Sequence, residues 1–138
     1  MTTPIEPAVL DDDTLLAHFE RCELPTTQFK HREHLRVAWI LLSRHPLLYA
    51  MQRFRRGLKA YAVHNKVPGL YNETITCFYL LLIRERMDAM QGKHGWQDFE
   101  WCNSDLFGYP KSFLAPYYPS ELAFSAQAKQ VFLFPESV

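Results

Sequence analysis

An all-α fold is what the sequence predicts, and three stretches carry that prediction. Thr27–Arg44 and Leu47–His64 repeat their apolar residues at spacings of three and four, and Asn72–Met90 is apolar over most of its helical circumference. No internal repeat, low-complexity tract or linker separates them. The expectation is a compact single-domain helical bundle of about five or six helices, spanning 1–138 with residues 1–10 as a loosely held arm.

Met1 to Leu10 carries two prolines and little periodicity, hence the arm. Asp11 to Asp13 place negative charge at a helix N-terminus ahead of Leu15, Leu16, His18 and Phe19, so a first helix is expected over Asp12–Cys22. Leu24, Pro25 and the Thr26–Thr27 pair break it and launch the second, Thr27–Arg44, with Phe29 placed to staple back onto its first turn. Ser43, Arg44 and His45 close that helix before Pro46. Leu47, Met51, Phe54, Leu58, Tyr61 and Ala62 then line the inner face of a third helix, where Gly57 allows a close crossing.

Asn65–Tyr71 is turn chemistry centred on Pro68–Gly69. Asn72 or Thr74 caps a fourth helix that turns Ile75, Phe78, Tyr79, Leu82 and Ile83 inward and runs through Met87 to Met90. Cys77, Leu80 and Leu81 make its other faces apolar too, which predicts a central helix lying beside the Thr27–Arg44 helix. Beyond Gly92 a short helix is expected between Gly95 and Asn103, then a Tyr- and Pro-rich loop over Phe107–Pro119 suited to covering a cavity mouth. Ser120 and Ser125 cap short terminal helices containing Leu122, Ala123, Ala128, Val131 and Phe132, and the tail FLFPESV reads as a strand or a docked extension.

A chain of 138 residues buries roughly two thirds of its unfolded surface, so one core suffices. Fifteen Lys and Arg balance fifteen Asp and Glu, which gives no overall field to attract nucleic acid or an anionic membrane. Arg53, Arg55, Arg56 and Lys59 cluster locally, but no Gly-rich phosphate loop accompanies them, and a solvated face is the favoured reading. Cys22, Cys77 and Cys102 form no C-x-x-C pair and read as reduced thiols. The start has no secretory pattern, and the apolar run from Phe78 falls far short of the ~20 residues of a membrane span, so a cytoplasmic placement is expected.

Two groups of residues are candidates for chemistry. His31 and His34, three apart, share the helical face of Leu35, Ala38, Leu41 and Leu42 and point a polar site at an apolar core. Neutral imidazoles on one face are candidate ligands for a divalent transition metal, or an acid and a base; the alternative is that both rings hydrogen-bond structurally at a helix start. Glu33 between them points about 100° away, so no H-E-x-x-H site forms. The second group is Tyr71, Asn72, Glu73, Thr74 and Thr76, at a helix N-terminus whose free N–H groups suit a carbonyl, carboxylate or phosphate. Simple capping is its alternative. No G-x-S-x-G elbow, nucleotide loop or cysteine signature is present, and His18, His45, His64 and His94 read as surface or packing residues.

Phe29, His31, His34, Leu35 and Ala38 fit F-x-H-x-x-H-L-x-x-A; Tyr71, Thr74 and Thr76 fit Y-H-x-T-x-T; Ser125, Ala128, Phe132 and Pro135 fit S-x-x-A-R-x-x-F-x-x-P-D. On these residues the chain resembles a family of small uncharacterised bacterial proteins. The resemblance implies an all-helical fold and a shared site between the first two motifs, and brings no known reaction. Asn72 stands where the family pattern has His, and Lys129 and Glu136 replace its Arg and Asp. Asn is a poor ligand for zinc or iron, so a three-histidine metal site is weakened, with Glu73 or His64 as the available substitutes.

The expected function is a small-molecule site with His31 or His34 as acid, base or metal ligand. Glu73 would place charge, and Tyr71, Asn72 and Thr74 would orient the substrate. The alternative is a non-catalytic interaction or homodimerisation module in which the histidines are structural and surplus aromatics form the interface.

Overall fold

The computed structural model describes residues 5–108 and 114–135. Among these, every regular element is helical: α1 Asp12–Glu20, α2 His31–Arg44, α3 Leu47–His64, α4 Glu73–Ala89, α5 Trp96–Cys102, α6 Ser120–Ala123 and α7 Ala126–Gln130, with 3-10 turns at Pro7–Val9, Pro68–Leu70 and Ser104–Phe107. The all-α expectation is met, with seven α-helices among the described residues, the last two of them only four and five residues long. No described helix is long and apolar enough to cross a membrane. Two compact units make up the chain, Met1–Pro68 and Gly69–Val138.

In the first unit Asp11 caps α1 by accepting the Thr14 amide at 2.8 Å. The helix buries Leu15, Leu16 and Phe19 and stops at Glu20, short of the expected Cys22. Cys22 there takes the left-handed conformation at φ 59°. The Glu23 amide bonds back to His18 O and the Cys22 amide to Phe19 O, which is a Schellman closure without glycine. α3 ends the same way, with Lys66 at φ 63° and the amides of Val67 and Lys66 on Ala62 O and Val63 O.

α2 starts at His31, not Thr27, because Gln28 and Phe29 both bond to Pro25 O and close a turn ahead of it. Its residues Leu35 to Leu42 are all buried, Arg36 among them. That guanidinium donates to Pro7 O at 2.9 Å, Leu10 O at 2.7 Å and Asp12 Oδ1 at 3.0 Å. The segment expected to be a loose arm is therefore fastened where it is described, with Pro7 buried. α3 has the predicted bounds. It is salt-bridged to α1 through Arg53 and Glu20, so the first arginine of the basic cluster is already paired.

Aromatic rings join α1, α2 and α3. Phe19 lies 5.6 Å from both Phe29 and Phe54, and Tyr61 meets Phe29 edge-on at 4.9 Å while donating its hydroxyl to Leu24 O. A Cβ on Gly57 would sit 2.4 Å from the Phe19 ring, which is the close crossing expected of that glycine.

In the second unit Arg86 of α4 makes a two-pronged bond to Asp105 at 3.0 and 2.8 Å and reaches Asn103 Oδ1 at 3.1 Å. Asn103, buried, turns its amide to Phe99 O and so closes α5. Phe78 packs against Tyr117 and Tyr118, and Trp96 against Phe99 and Phe107. Leu81 is 41% exposed, so α4 is less enclosed than its apolar circumference suggested. Val131 and Phe132 lie beyond α7, Val131 has extended backbone angles, and residues 132–135 form no strand. Residues 109–113 of the expected Tyr/Pro loop, and Glu136, fall outside the described residues.

Two substitutions test this packing. Gly57→Ala should lower stability by ~1–3 kcal/mol, although alanine gains ~1 kcal/mol in helix propensity, because Phe19 is fully buried between two other rings and has nowhere to go. Lys66→Gly should raise stability by ~0.5–1 kcal/mol through relief of the left-handed backbone. Urea denaturation reads both, and a neutral or stabilising Gly57→Ala would contradict the crossing.

Candidate functional site

His31 and His34 belong to the first unit, and Tyr71, Asn72, Glu73 and Thr74 to the second. Each group takes its geometry from the start of one helix.

His31 is the first and His34 the fourth residue of α2. Lys30 is the N-cap, and its amide donates to Glu33 Oε1 at 3.0 Å, one half of a capping box. Phe29 and His34 thus occupy the two staple positions around the cap. Their rings stack with centroids 4.0 Å apart and planes 24° from parallel. The expected staple therefore forms, and its helical partner is an imidazole.

His34 Nδ1 lies 2.7 Å from Lys30 O. A carbonyl only accepts, so Nδ1 carries the proton and Nε2 the lone pair. Burial pushes the imidazole pKa down to about 4, the nearby His31 adds to the fall, and the Lys30 carbonyl opposes it. At neutral pH the ring is an uncharged acceptor held in one tautomer. Of the other histidines, His45 accepts from Arg53 Nη1 at 3.2 Å and packs edge-on against Tyr49, a packing role as expected.

At the start of α4, Asn72 Oδ1 accepts the Ile75 amide at 3.0 Å and Nδ2 donates to Ala123 O at 2.7 Å. Asn72 is thus both the cap of α4 and the tie to the last residue of α6. Thr74 is fully buried, donates to Val131 O at 2.8 Å and accepts from Leu133 N at 3.1 Å. The polar atoms expected to orient a substrate are therefore committed to the chain's own backbone at both residues. Tyr71 donates to Glu73 Oε1 at 2.6 Å, which couples those two half-buried side chains in the same turn.

No group of three or more His, Cys, Asp or Glu side chains among the described residues is arranged to hold a metal. Tyr118 was not singled out from the sequence, yet its buried hydroxyl donates to Leu133 O at 2.7 Å. Burial raises its pKa, with Cys77 adding to the rise. Its only sequence signal is an aromatic pair before Pro119.

No family model, curated protein or solved structure matches the chain.

The low pKa of His34 fixes a pH dependence. Below the ordinary value of 6.5 the unfolded chain binds a proton that the folded chain still refuses, so stability falls as pH drops from about 6.5 to about 4 and then levels off. The loss expected from this ring is about 2–3 kcal/mol. Denaturation curves across that range should show it, and His34→Leu, which keeps an apolar partner for Phe29, should remove that part of the slope. An unchanged slope in His34→Leu would assign it to other groups.

Proposed function

We propose that the chain binds a small molecule at the N-terminal end of α2, with His34 Nε2 as the principal acceptor and His31 beside it. One observation carries this reading: the Lys30 carbonyl and the Phe29 ring hold a neutral imidazole in a single tautomer, with its lone pair on Nε2, the nitrogen turned away from that carbonyl bond. Orientation of one ring nitrogen by a carbonyl is how proteins ready the other for a ligand. A ring with a pKa near 4 is a weak base at neutral pH, which favours accepting a hydrogen bond over abstracting a proton. The ligand class is therefore one that offers a hydroxyl or amine donor. Among the described residues no third His, Cys, Asp or Glu joins the two imidazoles as a zinc site requires, so a small molecule is preferred here to a bound metal. Three free thiols support a cytoplasmic setting.

The test is nitrogen-detected NMR of the histidine rings during titration with a set of small hydroxyl- and amine-bearing fragments. A binding fragment should move the His34 Nε2 resonance, and His34→Ala should weaken its binding at least ~10-fold, equivalent to ~1.4 kcal/mol. If no fragment shifts that resonance in the folded protein, the reading fails.

A homodimeric interaction module is the second reading, and one observation favours it. Trp101 on α5 is 86% exposed, an unusual position for a large aromatic. On this reading the solution mass is that of a dimer and Trp101→Glu returns it to monomer; a monomeric parent chain excludes it.

A further inference from the structure

Residues 131–135 follow α7 without forming an element of their own. Among the described residues, the main-chain bond made here is Val131 N to Gln127 O, which closes α7. The other hydrogen bonds to the segment among the described residues come from two side chains. Thr74 donates to Val131 O and accepts from Leu133 N, so one hydroxyl reads residues i and i+2 of an extended backbone as a neighbouring strand would. Tyr118 adds a bond to Leu133 O. The side chains contribute little: Phe134 is 84% exposed and Val131 is 48% exposed, while Phe132 packs edge-on against Phe134. Three side-chain bonds and three partly covered residues, Phe132, Leu133 and Pro135, must therefore offset the ordering of five residues.

α4 rests on different forces. Ile83 and Leu80 are buried, Arg86 is anchored to Asp105, and Asn72 caps the first turn by itself. The cap and the Arg86 anchor involve no residue of that segment. Its departure would uncover the Thr74 hydroxyl in the first turn of α4 and leave the cap in place.

We propose that residues 131–135 are a releasable strap, which opens as a unit while α4 stays folded and, when closed, occupies the hydroxyl at the start of that helix. Its recognition is of main-chain atoms, so an extended peptide backbone is the chemistry that the Thr74–Tyr118 pair accepts.

Native-state hydrogen exchange on the full chain, followed at the Leu133 and Ile83 amides across low denaturant concentrations, tests this. Leu133 should be protected at least ~10-fold against a free amide, yet exchange at least ~100-fold faster than Ile83, with almost no dependence on denaturant, the mark of local opening. Thr74→Val should speed exchange at Leu133 by a further ~10-fold and leave Ile83 unchanged, and Thr74→Ser should restore the parent rate. The proposal is overturned if Leu133 exchanges as slowly and with the same denaturant slope as Ile83, since the segment then leaves only on global unfolding. It is equally overturned if Leu133 exchanges as a free amide. Should Thr74→Val fail to fold, the comparison of the two amides in the parent chain decides alone.

Discussion

The bare backbone of α3 at Gly57 is the constraint on which the first unit depends. A methyl group there would occupy the space of the Phe19 ring, so its absence lets α1 cross α3 closely enough for that ring to be completely enclosed. Phe19 in turn braces Phe29, and Phe29 lies flat against His34. The imidazole proposed as the ligand's acceptor is thus positioned by a relay of rings that begins at a position with no side chain. Its chemistry is inseparable from the packing of the core.

The second unit solves its connections differently. Here two short polar side chains in one helical turn, Asn72 and Thr74, fasten parts of the chain that lie far along the sequence. Asn72 combines a helix cap with a tie to α6, which suits an amide: its oxygen accepts from one backbone while its nitrogen donates to another. An imidazole at that position, as in the pattern that the sequence resembles, would have one fewer hydrogen to give and a different reach. The exchange to asparagine therefore has a sufficient structural role within this chain.

Much of the fold was legible from residue spacing. Both bounds of α3, the caps Asp11, Asn72 and Ser125, the crossing at Gly57 and the staple at Phe29 all follow from periodicity and capping chemistry. What escaped has identifiable causes. The start of α2 was misplaced because Thr26 and Thr27 look like caps, while the actual cap, Lys30, has no side-chain acceptor and relies on Glu33 to satisfy its amide. Helix ends at Cys22 and Lys66 carry no glycine to announce them. Arg36 sits in an apolar stripe with its bonds to Pro7 and Leu10 invisible in local sequence. At the site, the H-x-x-H spacing was readable, but the tautomer and low pKa of His34 depend on where the Lys30 carbonyl and the Phe29 ring point, which no spacing encodes.

The dependence of α1 on α3 also shapes how this chain emerges during translation. Phe19 leaves the ribosome well before Gly57, and at roughly 5–20 residues per second the interval lasts several seconds. Through that time the nascent α1 carries Leu15, Leu16 and Phe19 without the α3 backbone that encloses the Phe19 ring in the folded chain.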